Sequence, residues 1–222
     1  MKHKFYVMLG DVIASRRIKN RGAFQRKLEK TCANVNLNFV DDIYADFNFL
    51  KGIDEIGGVL TNINSVYKIM NTFLEQCYPD SIRFVLVFDY IDIAVESHEV
   101  SRMDGPAFHK ASDMLKDLKG SRLIFKMSIG DEIMDKILAG ETNLLFLLKK
   151  DWSPRQRMII NEYRKMGNQN MVANALGITQ QAVSKALNRS MWKEFSGIEE
   201  DLNYVLEYYS PSLPEKIKLD KK

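Results

Sequence analysis

The segment from Ser153 to Trp192 constrains the fold of this 222-residue chain more than any other. Apolar residues recur there at helical spacing in two successive stretches, and Gly177 follows the second as a turn residue. Thr179 then offers a hydroxyl that caps the free backbone N–H groups of a third helix, from Gln180 to about Arg189. This pattern predicts a helix-turn-helix. The apolar positions are Met158, Ile159, Tyr163 and Met166 in the first stretch, and Val172, Ala175 and Leu176 in the second.

The third predicted helix has an apolar face and a polar face. Four apolar residues are spaced so that they face inward, namely Ala182, Val183, Ala186 and Leu187. Polar side chains occupy the outward positions, and such side chains reach base edges and phosphates in the major groove of DNA. We therefore predict double-stranded DNA as a partner. The predicted base-contacting residues are Gln180, Gln181, Ser184 and Lys185, and the predicted phosphate-binding residues are Arg155, Arg157, Arg189 and Lys193.

Charge supports the same interpretation of this segment. Between Asp151 and Lys193 there are seven basic and two acidic residues, a local net charge of +5, whereas the whole chain carries only +3. A basic excess concentrated on one segment is typical of a surface that binds the phosphates of DNA. The alternative is a helical hairpin that only packs against another domain.

Two pieces of the segment, SPRQRMII and LGITQQAVSKAL, resemble the helix-turn-helix of sigma-factor region four and of related bacterial regulators. The resemblance covers the stretch from Ser153 to Trp192. It implies the fold of that stretch and leaves the DNA target open.

Length and composition predict two domains. The chain is 45% hydrophobic and long enough for one ordinary and one small domain. We assign 1–148 to a mixed α+β domain, 149–213 to the DNA-binding domain and 214–222 to a charged tail. No apolar run is long enough to span a membrane, so we expect a soluble cytoplasmic protein without a membrane partner. Cys32 and Cys77 lack partners at ligand spacing, so neither a zinc site nor a disulfide framework is predicted.

The N-terminal domain alternates strand and helix patterns in the order βαββαβ. A buried strand over residues 5–9 stops at Gly10 and Asp11, and a helix follows over Arg21 to Asn38. A hairpin from about Ala45 to Leu60, a second helix that ends before Pro79 and a fourth strand complete the order. This order predicts a ferredoxin-like α+β fold, in which two helices cover one face of an antiparallel sheet.

Acidic residues follow the first strand and occupy the hairpin, so the predicted fold makes them neighbours. Asp11, Asp54 and Glu55 carry carboxylates, which are ligands that magnesium prefers, and a nucleotide would bind through such a cation. Arg16 offers a fork of donors that suits phosphate oxygens. The alternative is an ordinary strand-end turn and hairpin tip, where aspartate and glycine are common.

Three segments, FYVMLGDVIASR, GIDEIGGVL and MDGPAFHKA, resemble the signature segments of the bacterial SatD family, whose members end in a helix-turn-helix. The first segment is also similar to the palm domain of nucleotidyl and diguanylate cyclases. The resemblance implies that Asp11 is a metal ligand, that the loop from Val12 to Ser15 cradles phosphates, and that Asp54 or Glu55 is the hairpin acid. Ile53 stands where the family has glycine, and 87–90 replaces a glycine-containing strand, so the resemblance implies a domain that is degenerate as an enzyme.

These observations predict a DNA-binding transcriptional regulator whose palm-like domain senses a ligand or mediates dimerisation. A single helix-turn-helix usually needs a second copy to contact two half-sites, which favours a homodimer. The amphipathic C-terminal helix, Gly197 to Tyr209, packs within the chain or forms the dimer seam. Two alternatives stay open: a metal-dependent nucleotidyl transferase or cyclase-like enzyme, and an adaptor that binds protein partners.

Overall fold

The computed structural model describes residues 4–52 and 54–209. They form two compact units: the first takes the residues up to Gly140 together with those from Asn203 onward, and the second runs from Glu141 to Leu202. The predicted tail, 214–222, and the last residues of the predicted DNA-binding domain, 210–213, lie outside the described residues. No helix within the described part is both long and apolar enough to cross a membrane.

The first unit is built on one five-stranded sheet with the order β2-β3-β1-β4-β5. The first four strands pair antiparallel, and β5 adds to β4 in parallel. The predicted βαββαβ order is confirmed, and β1 lies beside β3 as the ferredoxin-like topology requires. The strands are β1 Lys4–Val12, β2 Ile43–Lys51, β3 Glu55–Leu60, β4 Ile82–Tyr90 and β5 Phe125–Ser128, and the helices are α1 Arg21–Asn38, α2 Val66–Cys77 and α3 Pro106–Leu118.

Helices cover both faces of the sheet, because the strands alternate apolar side chains toward each face. On one face, Phe84 of β4 packs against Phe73 of α2, with their ring centroids 5.6 Å apart. On the other, Val7 and Leu9 of β1 belong to the same buried cluster as Phe108 of α3. The residue after Leu9 on this second face is Asp11.

Strand β1 is longer than the sequence pattern predicts. We expected it to stop at Gly10 and Asp11, and this was wrong, because β4 pairs with it as far as Val12. Gly10 is required inside the strand: a Cβ atom there would lie 2.9 Å from both Ile56 Cγ1 and Phe84 Cε1. Asp11 is therefore a buried strand residue, held between two neighbouring strands.

The second unit is helical, and each of α5, α6 and α7 contacts the other two. Its buried residues include Ile159, Val172, Val183 and Leu187, as the helical spacing predicts. Met158, which is 46% exposed, and Ala175 belong to the apolar pattern but lie on the exposed side of their helices. The helices are α5 Pro154–Met166, α6 Gln169–Leu176 and α7 Gln180–Arg189, while α4 Glu132–Lys150 and α8 Trp192–Tyr209 each belong partly to both units.

Candidate nucleic-acid interface

The turn between α6 and α7 has the geometry that the sequence predicts. Gly177 adopts a left-handed conformation, with φ 62° and ψ 36°, which glycine reaches without steric cost. The N–H of Ile178 donates to the carbonyl of Ala173 over 3.0 Å, which satisfies a free carbonyl at the end of α6. Thr179 Oγ1 then accepts from the N–H of Ala182 over 3.2 Å. The predicted cap is confirmed, and α7 begins at Gln180.

The end of α7 is anchored as well. Trp152 Nε1 donates to the carbonyl of Ser190 over 3.2 Å, and the Trp152 ring packs edge-on against Phe195 with centroids 4.7 Å apart. The Ser190 hydroxyl donates to the carbonyls of Ala186 and Leu187, both over 2.9 Å. Fixed at both ends, α7 presents its outward face in one orientation.

The outward face of α7 is polar. Val183 and Leu187 are buried, and Ser184 is half-buried. The exposed side chains of this helix all carry hydrogen-bonding groups. They are Gln180, Gln181, Lys185, Asn188 and Arg189.

The exposed cations of the second unit fall into two groups. Arg164 donates to both carboxylate oxygens of Glu199, and Lys165 forms an ion pair with Glu162 over 2.6 Å. Five other exposed cations form no ion pair within the described part of the chain: Lys150, Arg155, Lys185, Arg189 and Lys193. Their charges are free to meet an anionic partner.

Arg157 departs from its predicted role as a phosphate ligand. Its guanidinium donates through Nη2 to the backbone carbonyl of Lys149, near the end of α4, and its side chain is only half-exposed. A free carbonyl at the end of a helix is a favourable partner for a cation. The sequence shows a basic residue, but it does not show that a carbonyl at the end of a neighbouring helix accepts a hydrogen bond from it. We therefore assign Arg157 to joining α4 and α5.

Gln169 belongs to the same surface and was missed by the sequence analysis. It is the first residue of α6, and Gln180, which opens α7, donates from Nε2 to Gln169 Oε1 over 2.6 Å. The sequence pattern that could have indicated it is the recurrence of glutamine directly after a capping residue at two successive helix starts. Only the packing of α6 against α7 brings the two amides together.

The second predicted site lies in the first unit, where Asp11 is surrounded by cations. Asp11 pairs in register with Glu55 of β3 and Arg83 of β4, so the three side chains share one face of the sheet. One carboxylate oxygen of Asp11 lies 2.7 Å from Lys119 Nζ, and the other lies 3.4 Å from Arg83 Nη1. The side chains of Asp11 and Arg83 are 11% and 14% exposed. Sequence reasoning did not foresee either cation at this position.

Asp54 and Ser15 lie together beside this cluster. The Ser15 hydroxyl donates to Asp54 Oδ2 over 2.8 Å, and the N–H of Val12 donates to the Asp54 carbonyl over 2.8 Å. Ala14 precedes Ser15 in a left-handed conformation, with φ 56°, that an alanine side chain disfavours. Arg16 follows and is exposed. The structure thus brings Asp54 to the loop after β1, as predicted, while Ile53 lies outside the described residues.

The arrangement of donors does not fit a divalent cation. A magnesium site needs several oxygen ligands without competing cations, whereas each oxygen of the Asp11 carboxylate faces a basic side chain. Within residues 4–52 and 54–209, no three acidic, histidine or cysteine side chains are grouped so that they could hold a metal ion. The magnesium and nucleotide site of Asp11, Asp54, Glu55, Ser15 and Arg16 stays a prediction.

Comparison with protein families identifies one match along most of the chain. The model of the SatD family matches residues 5–197. A comparison with curated protein sequences found no significant match.

Two solved structures are similar to part of this chain, and both are described as structures of a bacterial light-regulated adenylyl cyclase. One is 11% identical with a TM-score of 0.43, and the other is 9% identical with a TM-score of 0.41. Each match covers 58% of this chain and 44% of the cyclase chain, so this protein spans less than half of either cyclase. Likeness at this level carries no conclusion about activity.

Proposed function

The chain belongs to the SatD family, and from that premise we propose that it is a transcriptional regulator that binds double-stranded DNA through a helix-turn-helix formed by α6 and α7. The single observation that carries the proposal is the outward face of α7, which is polar, exposed and held at both ends of the helix. A helix of this composition fits the major groove, whose base edges offer donors and acceptors.

Base contacts and phosphate contacts separate along this surface. Gln180, Gln181, Ser184 and Lys185 lie within the first six residues of α7 and contact base edges, as the leading residues of a recognition helix do. Arg155, Arg189 and Lys193 lie on three different helices and bind phosphates on either side of the groove. Arg157 is left out of this set because its Nη2 donates to the carbonyl of Lys149 and its side chain is only half-exposed.

The alternative, a hairpin that only packs against another domain, requires a different surface. A packing helix covers its partner with apolar side chains, because burial of apolar area supplies most of the attraction. The exposed residues of α7 offer glutamine, asparagine and basic side chains instead. Burying these groups without hydrogen-bond partners would cost free energy.

The first unit takes a non-catalytic role in this proposal. Two-metal catalysis at Asp11 would require its carboxylate to release both Lys119 and Arg83 before any cation binds. The unit therefore serves as a platform that dimerises the protein or responds to a ligand. A dimer places two helix-turn-helix units on one DNA molecule. Light scattering tests the dimer: a solution mass equal to one chain at micromolar concentration would remove it.

A salt titration tests DNA binding. Fluorescence anisotropy with genomic fragments would measure the dissociation constant between 50 and 200 mM salt, and the three phosphate-binding cations predict a log–log slope of about −3 for each bound protomer. An absence of binding at the lowest salt concentration would refute the proposal. A slope near zero would refute the assignment of the phosphate contacts.

A second experiment addresses the first unit. The protein is incubated with each nucleoside triphosphate and magnesium or manganese, and both product formation and the thermal unfolding midpoint are measured. We expect no product. Product that disappears in the Asp11→Asn variant would establish the enzyme, and a raised midpoint without product would identify a nucleotide sensor.

A further inference from the structure

We infer that Gln169 is a positioning residue that orients Gln180 to recognise adenine. The inference rests on the proposed DNA binding and extends it, because it names a residue outside α7 and the base that the pair selects. Its starting point is the 2.6 Å hydrogen bond from Gln180 Nε2 to Gln169 Oε1.

The two glutamines are attached to backbone that is held in place. Asn168 caps α6 by accepting from the N–H groups of Asn170 and Met171, and Thr179 caps α7. The turn at Gly177 joins the two helices with satisfied backbone groups. The first residues of α6 and α7 therefore lie at a fixed separation, and the bond between their amides needs no rearrangement of the backbone.

The donors and acceptors that remain define what each amide can bind. A glutamine amide has two N–H donors and one acceptor oxygen. Gln180 uses one N–H on Gln169, which leaves its Oε1 and its second N–H, the pair that matches the N6 amino group and N7 of adenine. Gln169 keeps both of its N–H donors, which suit a phosphate oxygen and cannot accept from the DNA.

A DNA phosphate bound by Gln169 fixes the direction in which both amide groups point. With its NH₂ group toward the phosphate, Gln169 must point Oε1 toward Gln180. Gln180 must then donate a hydrogen bond to that oxygen from Nε2. A reversed Gln180 amide would place two acceptor oxygens against each other. The orientation that recognises adenine is thus selected before the base is reached, which lowers the ordering cost of binding.

The hydrogen bond contributes little to the fold itself. Gln180 is exposed and Gln169 half-exposed, so water replaces the bond readily when it is lost. Removal of Gln169 should therefore leave stability unchanged and alter base selection. This separates a positioning role from a structural one.

The experiment uses the full chain and a preferred duplex selected from a randomised pool. Dissociation constants are measured on that duplex and on duplexes in which each A·T pair is replaced in turn by G·C. Gln180→Ala is expected to lose at least about fivefold discrimination at one A·T pair, the effect of a lost bidentate contact. Gln169→Ala should lose most of the discrimination at the same pair, and it should add nothing in the Gln180→Ala background.

Two further variants keep the test specific. Gln169→Glu retains the acceptor for Gln180 but opposes the phosphate, so it should keep the discrimination and weaken binding to every duplex. Asn170→Ala, the exposed neighbour on α6, should change neither property. Unchanged discrimination in Gln169→Ala, or losses at different base pairs in the two alanine variants, would overturn the inference and leave DNA binding intact. A wild-type protein that binds no duplex would remove both.

Discussion

Charged side chains have different surroundings on the sheet of the first unit and on helix α7 of the second unit. On the sheet, Asp11 is almost buried, and each of its oxygens faces a cation from another element of the fold. On α7, Lys185 and Arg189 are exposed and form no ion pair within the described part of the chain. Both regions combine charged side chains with rigid backbone.

The difference separates charges that hold the fold from charges that are available to a partner. A buried carboxylate loses its hydration. The cations that take the place of this water therefore contribute to the stability of the fold. An exposed cation keeps its hydration and contributes little to folding, but it can release counterions from DNA. Asp11 is therefore a charge that holds the fold, whereas Lys185 and Arg189 are available to a partner.

The largest expected effect concerns Asp11. The Asp11→Ala variant leaves Arg83 nearly buried without its carboxylate, so the free energy of unfolding should fall by about 2–4 kcal/mol. Urea denaturation followed by circular dichroism measures it. Asp113→Ala, which removes an ion pair with Lys116 whose side chains are more than 70% exposed, is the matched control and should leave stability unchanged. Equal losses in both variants would erase the contrast between the regions.

Lys185 tests the other side of the comparison. Lys185→Ala should weaken binding to the preferred duplex by about fivefold to a hundredfold, the effect of a lost base contact, with unfolding unchanged. The control is Lys165→Ala on α5, whose charge already pairs with Glu162. Anisotropy titrations measure both variants. Similar losses from Lys165 and Lys185 would show that pairing within the chain does not distinguish the two.

Arg189 distinguishes phosphate contacts from base contacts. Arg189→Ala should lower affinity for all duplexes alike and reduce the magnitude of the log–log salt slope by about 1, because one fewer phosphate is neutralised. The measurement is the salt titration of the variant beside the wild type. A slope that stays the same would exclude a phosphate contact at this position.

The substitution Ser15→Ala should have a smaller effect on stability than Asp11→Ala. Ser15→Ala removes the hydroxyl that donates to Asp54, and we expect the free energy of unfolding to fall by about 1–2 kcal/mol. Arg16→Ala, at the next and exposed position, is the control and should cost less than about 0.5 kcal/mol. If Arg16→Ala were the more destabilising change, the exposed Arg16 charge would contribute more to stability than the hydrogen bond from Ser15 to Asp54.

The smallest effect concerns the two thiols of the first unit. Burial raises the pKa of Cys32 to about 12, with the nearby Cys77 adding to the shift, and burial also raises the pKa of Cys77. The native thiols should therefore stay protonated and react with a disulfide reagent at pH 8 far more slowly than in guanidinium chloride. Because the unfolded thiols ionise near pH 9, their contribution to stability is complete below that pH and is lost as the pH rises toward 12. Rapid labelling of the native protein would contradict this.

Local features were predictable because they depend on near neighbours in the chain. The bounds of α7, its Thr179 cap and the glycine turn follow from side chains within a few residues of each other. The order of strands and helices likewise follows from the periodicity of apolar residues. The end of β1 was not predictable, because it depends on how far β4 pairs alongside it.

Periodicity, capping and turn residues were enough to predict most helices and strands, the βαββαβ order along the chain and the basic character of the segment around α7. Which charges are already paired within the chain depends on contacts between residues far apart in the sequence. Arg83 lies 72 positions from Asp11, and Arg157 donates from Nη2 to a carbonyl of the preceding helix. Capping and periodicity act between residues that are close in the sequence. The partner of a charge is set by elements that meet only after the chain has folded.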